Sequence, residues 1–179
     1  FGPEPRVLQR GVQIRRRLAR REHKHVKVLY RLADFGRKRI AERLMESKNS
    51  TAMLTTFNEI NMILHAPFMG AGLCFEEGEN QELVKYQAAH HELVASAMAT
   101  KIAHEIDPEN KVGCMLAAGQ YYPNTAHPRD YWAAMEEDRK SYFFIDVQAR
   151  GEYPNYAKKQ WERERIEIQM TAEDLELLK

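Results

Sequence analysis

Past residue 54 the chain alternates short apolar runs with long amphipathic ones, and that pattern predicts its elements. "AMLTTFNEI", at 52–60, is a short β-prone run that ends on polar residues. A glycine-containing loop, "FMGAGLCFEEGEN", comes next. "NQELVKYQAAHHELVASAMATKIAHEI" predicts a long helix with Val84, His91, Val94, Met98 and Ile102 near one stripe, and "DPEN" stops it. "KVGCMLAAGQYYP" is short, apolar and flanked by turn residues, which predicts a buried strand. A second helix is expected from Pro128, since proline suits a first helical turn, through to about Gly151. "TAED" has capping-box spacing, Thr171 with Asp174 three residues on, and opens a last helix over "LELLK". Strand, helix, strand, helix with helical crossovers predicts parallel α/β structure. Two strands neither close a barrel nor fill an open sheet, so the pattern is that of a piece of something larger.

The first 54 residues have a different texture. They carry 15 Lys+Arg against 5 Asp+Glu, a net of +10, whereas 55–179 carry 12 against 21, a net of −9. From about Val26, Leu29, Leu32, Ile40 and Leu44 recur irregularly at helical spacing, which predicts a basic, weakly amphipathic helix broken at Gly36. The division is therefore a basic, mainly helical segment of unassigned role at 1–54 and an α/β segment at 55–179. Across the whole chain, 44% hydrophobic and 30% charged residues is a globular composition, and no apolar run approaches the roughly 18 residues of a membrane span. "FGPEPRVLQRG" has no apolar export core, and Cys74 and Cys114 lie far apart without metal-type spacing. Reduced thiols in a cytoplasmic protein are the expectation.

Candidate chemistry centres on Asn58 and Glu59, where an apolar strand turns into loop. In a parallel α/β barrel, active sites are built at the carboxyl ends of strands, and a glutamate there is placed to act as a general acid. His90-His91-Glu92 lacks the second histidine of a zinc-type HExxH, position 95 being Ala95. Helix packing is the expected role of that pair, and no metal or cofactor is expected.

"TFNEI" resembles the acid/base signature of glycoside hydrolase family 1, which ends the fourth strand of a (β/α)₈ barrel. "YQAAHHELVASAMA" resembles the family's next helix with its paired histidines. "KVGCMLAAGQYYP" resembles its fifth strand, and "YFFIDVQARGEYPNY" its aromatic-Asp to Gly-x-Tyr-Pro stretch. Within the family, "TFNEINMILHAPFMGAGL" is most similar to bacterial 6-phospho-β-glucosidases. The resemblance implies a fragment of a (β/α)₈ TIM barrel around strands four and five, preceded by the basic segment. It implies retaining hydrolysis of O-glycosyl bonds in β-glucosides or 6-phospho-β-glucosides, with one carboxyl as acid/base and a second as nucleophile. On it Glu59 is the acid/base and Asn58 binds the sugar 2-hydroxyl. The family's nucleophile belongs to a later strand motif, and its sugar-binding His-Trp motif to an earlier one; neither is found here. The chain alone is therefore expected to be inactive. Tyr121, Tyr122 and Tyr131 are candidates to stack on a sugar, while Trp132 is expected in the core. The rival reading is a non-enzymatic, basic nucleic-acid-binding protein carrying a relic hydrolase fragment. The first segment has few aromatics and no reader motif, which counts against nucleic acid as a partner.

Overall fold

A computed structural model describes residues 53–179. The predicted basic helix lies outside the described residues. Strand β1 (Met53–Thr55) runs parallel to β2 (Lys111–Gly113), with Met53 opposite Lys111 and Thr55 opposite Gly113. Between them lie α1 (Met62–His65), α2 (Pro67–Ala71) and α3 (Gln81–Ile106). After β2 come α4 (Pro128–Arg150), α5 (Asn155–Glu164) and α6 (Ala172–Leu178). The parallel pairing and the helical crossover follow the sequence pattern. Among the described residues the result is an incomplete α/β arrangement of several helices and two short strands, not a closed eight-stranded barrel.

Both strands end after three residues, short of the runs predicted at 52–60 and from Lys111 onward. A strand persists only where a neighbour accepts its ladder, and each described strand has one neighbour. The second run is also not buried as expected: exposed and half-buried positions alternate over 111–116.

Helix boundaries follow local chemistry. The Asn80 side chain accepts from the Leu83 N–H at 3.2 Å and starts α3. Thr171 and Asp174 complete a capping box at α6, with reciprocal bonds of 2.8 and 3.1 Å. Gly151 closes α4 at φ 71°, and a Cβ there would stand 2.7 Å from the Lys179 Cα. Glycine thus serves both the left-handed cap and the close seat of α6. Helices α1, α2 and α5 are absent from the sequence-based expectation. The buried residues of α5, Ala157 and Trp161, lie four apart on one face, a helical spacing that the reading of the sequence passed over.

The core lies among the helices. Phe144, Val147, Leu93, Ala89 and Ile63 have no exposed surface. Around them Tyr86, Phe143, Tyr153 and Trp161 form an aromatic cluster with centroid separations of 5.2–6.0 Å. The buried face of α3 carries Tyr86, Ala89, His90, Leu93, Ser96, Ile102 and Ala103. Of the predicted stripe, only Ile102 is among them. Apolar residues surround this helix, so periodicity alone does not select its inner face.

His90 is buried and ties α3 to the loop between α4 and α5 and to α6. Its Nδ1 lies 2.7 Å from the Tyr153 hydroxyl and its Nε2 3.4 Å from an Asp174 carboxylate oxygen. A neutral ring satisfies both, with the tyrosine donating to Nδ1 and Nε2–H donating to the carboxylate. Desolvation lowers its pKa against the pull of Asp174. His90 thus has the helix-packing role expected for the pair.

Glu92, half-buried in the same helix, has its carboxyl pushed up to about 7 by desolvation. A carboxyl that titrates near 7 folded and near 4.5 unfolded removes stability as pH rises between those values. Discounted for partial exposure, the effect is on the order of 2 kcal/mol. Glu92→Gln is therefore expected to raise the urea midpoint of the 179-residue chain at pH 8 and to leave it unchanged near pH 4. Equal shifts at both pH values would refute this titration.

Candidate active site

The carboxyl ends of two parallel strands lie on one side of a sheet, so the segments that leave β1 and β2 emerge together. Residues 56–61 leave β1 as an irregular bend fixed at each end by side chains. At its start, the Thr56 hydroxyl lies 2.7 Å from the hydroxyl of buried Ser96 on α3. Gln148 of α4 donates to the same Ser96 oxygen at 2.7 Å. Phe57 packs against the core.

At its end, the Ile60 N–H donates to the Met115 carbonyl at 3.2 Å. Asn61 has no exposed surface and uses both ends of its amide on one residue. Its Nδ2 donates to the Ala117 carbonyl, and its Oδ1 accepts from the Ala117 N–H, each at 2.9 Å. The side chain replaces one rung of a parallel ladder and carries the β1–β2 pairing past the point where the strands stop.

Glu59 stands between these anchors. Its φ is 49°, a left-handed conformation uncommon outside glycine, and its carbonyl accepts from the Met62 N–H at 2.8 Å. The side chain is half-buried, and Asn58 before it is exposed. Both residues thus sit in a turn at the carboxyl end of a parallel strand. Asn61, Ser96 and Gln148, which fix that turn, were missed by sequence reasoning. A polar residue between Ile60 and Ile63 reads there as ordinary alternation.

The aromatic residues fall differently from expectation. Trp132 is not in the core: it is 54% exposed, with the Arg139 guanidinium 5.9 Å from its ring centroid. With Ala126, Pro128, Tyr131 and Met135 it lines an open groove of about 570 Å³ at the start of α4. Pro128, Tyr131, Trp132 and Met135 form one stripe on the helix, and no described element covers it. Among the described residues no His/Cys/Asp/Glu group has the arrangement of a metal site, and no helix is long and apolar enough to cross a membrane.

A family model, glycosyl hydrolase family 1, matches residues 37–179. It therefore takes in the last part of the basic segment as well as the α/β segment. The chain is 62% identical over 124 residues to the 6-phospho-beta-glucosidase AscB of Escherichia coli (strain K12), covering 69% of this chain and 26% of that protein. It thus spans about a quarter of the length of such glycosidase relatives. A stretch of 26 residues is 85% identical to the dihydrolipoyllysine-residue succinyltransferase component of the 2-oxoglutarate dehydrogenase complex of Escherichia coli (strain K12), covering 14% of this chain and 6% of that one. Among solved structures, virulence factor SghA from Agrobacterium tumefaciens superposes with a TM-score of 0.57 at 23% identity, over 84% of this chain and 31% of that one. That likeness is one of fold.

Proposed function

The chain belongs to glycosyl hydrolase family 1, and from that premise we propose that it is the middle of a (β/α)₈ barrel, around strands four and five. The proposed parent activity is retaining hydrolysis of 6-phospho-β-glucosides. The observation that carries this reading is the 62% identity to a 6-phospho-beta-glucosidase across 69% of the chain. The turn at Asn58-Glu59, at the carboxyl end of a parallel strand, supports it.

In this mechanism Glu59, protonated, gives its proton to the glycosidic oxygen as the bond to the anomeric carbon breaks. A carboxylate from another part of the parent barrel attacks that carbon and forms a glycosyl ester. Glu59, now ionised, takes a proton from water, which attacks the same carbon and releases the sugar with its configuration retained. Exposed Asn58 is available to the sugar 2-hydroxyl, a contact that strengthens in the oxocarbenium-like transition state. A charged 6-phosphoglucoside does not cross a bilayer unaided, so enzyme and substrate share one compartment, which we propose is the cytoplasm.

The test is a hybrid enzyme in which residues 55–179 replace the stretch they match in the E. coli 6-phospho-beta-glucosidase. It is expected to hydrolyse p-nitrophenyl 6-phospho-β-glucoside with at least tenfold higher kcat/KM than the unphosphorylated glucoside. A folded hybrid without activity on either would overturn the proposal. The 26-residue match to an acyltransferase component supports a second inference, that two sequences of separate origin meet in this chain, whose family 1 match begins at residue 37. Genomic DNA read across this frame checks it, since one uninterrupted family 1 gene there would remove the junction.

A further inference from the structure

We infer that Asn61 is a positioning residue, holding the Glu59 turn in register with the segment that follows β2. The inference rests on Glu59 being the acid/base. Its physical basis is the pair of 2.9 Å bonds between the Asn61 amide and the Ala117 backbone, made by a side chain with no exposed surface.

Glu59 lies two residues away, in a left-handed conformation that the surrounding contacts must hold. Of those contacts, the Met62 N–H to Glu59 carbonyl bond is local and travels with the turn. The Ile60 N–H to Met115 carbonyl bond, at 3.2 Å, is a single long rung. Thr56 anchors the far end of the bend to Ser96. Asn61 is the contact that fixes the turn against the segment after β2 in two directions at once, because donor and acceptor on one planar amide set its angle as well as its distance. Asparagine suits this task where its relatives do not. Leucine fills the space but strands the Ala117 N–H and carbonyl. Aspartate, ionised, accepts from the N–H and repels the carbonyl.

Loss of this clamp displaces Glu59 without removing it. A misplacement of about 1 Å in a proton donor costs on the order of 10²-fold in rate, and the loss falls on leaving groups that need a proton. In the hybrid enzyme, Asn61→Ala is therefore expected to lower kcat for phenyl 6-phospho-β-glucoside about 10²-fold, with KM changed less than threefold. The glycosylation step for the dinitrophenyl substrate should stay within a few fold of the parent. Asn61→Asp is expected to recover as pH falls, since the protonated carboxyl can both donate to the Ala117 carbonyl and accept from its N–H. In the full chain, Asn61→Ala should speed amide exchange at Ala117 and Ile60 while leaving exchange in the middle of α3 unchanged, which guards against a variant that merely unfolds.

Equal losses on both substrates, or a rise in KM alone, would overturn the positioning role while leaving Glu59→Gln discriminating between leaving groups. Should Glu59→Gln itself fail to discriminate, the acid/base reading falls and this role falls with it.

Discussion

Replacing Glu59 by glutamine in the hybrid enzyme should lower kcat for phenyl and alkyl 6-phospho-β-glucosides by about 10³- to 10⁴-fold, the upper range for general acid–base catalysis. That corresponds to roughly 4–5.5 kcal/mol of lost transition-state stabilisation. Glutamine keeps the size of the side chain and hydrogen-bonds through its amide, but it supplies no proton. An alkoxide or phenoxide is a poor leaving group, so its departure carries the full loss. Dinitrophenolate leaves without help, and glycosylation from that substrate should be spared. A pre-steady-state burst should then appear, because water still lacks its base in the second step. Equal loss on all leaving groups would remove Glu59 from the acid role.

The second large effect is on stability. Phe144 has no exposed surface and meets the Phe143 ring at a centroid distance of 5.0 Å. It sits where α4 packs against α3, in the layer that holds the helices together. Phe144→Ala removes a buried ring and leaves a cavity, a change that costs about 3–5 kcal/mol in well-packed cores. Against the roughly 5–15 kcal/mol of an ordinary domain, that is enough to weaken or abolish cooperative unfolding. Leu175→Ala, at a position 41% exposed on α6, should shift the urea midpoint far less. Midpoints displaced equally by the two substitutions would show that the core is not centred on α4.

The sequence was most informative where chemistry is local. Pro128, Gly151 and the Thr171–Asp174 pair each mark a helix end by a bond or a dihedral that neighbouring residues supply, and each appears where expected. The parallel pairing of β1 and β2 was also legible, because a helix of 26 residues between two β-prone runs leaves few alternatives. Strand length was not. It depends on partner strands, and the described residues provide one neighbour for each. Helix α5 was passed over although Ala157 and Trp161 stand one helical turn apart, because most of its other positions are charged or polar and the helix is only ten residues long. Trp132 was misjudged because its stripe on α4 is apolar enough for a core but has no described element against it. In the candidate site, Asn58 and Glu59 stood out through a motif, whereas Asn61 works through a backbone segment 56 residues away. No local pattern announces such a contact.

The central claim is that Glu59 is the acid/base of a retaining glycosidase. The most direct measurement is azide rescue of Glu59→Ala in the hybrid enzyme, with a dinitrophenyl 6-phospho-β-glucoside as substrate. Azide needs no general base, so it should intercept the glycosyl ester, raise the turnover rate and yield the β-glycosyl azide. No acceleration would contradict the claim, and an α-azide would make Glu59 the nucleophile instead.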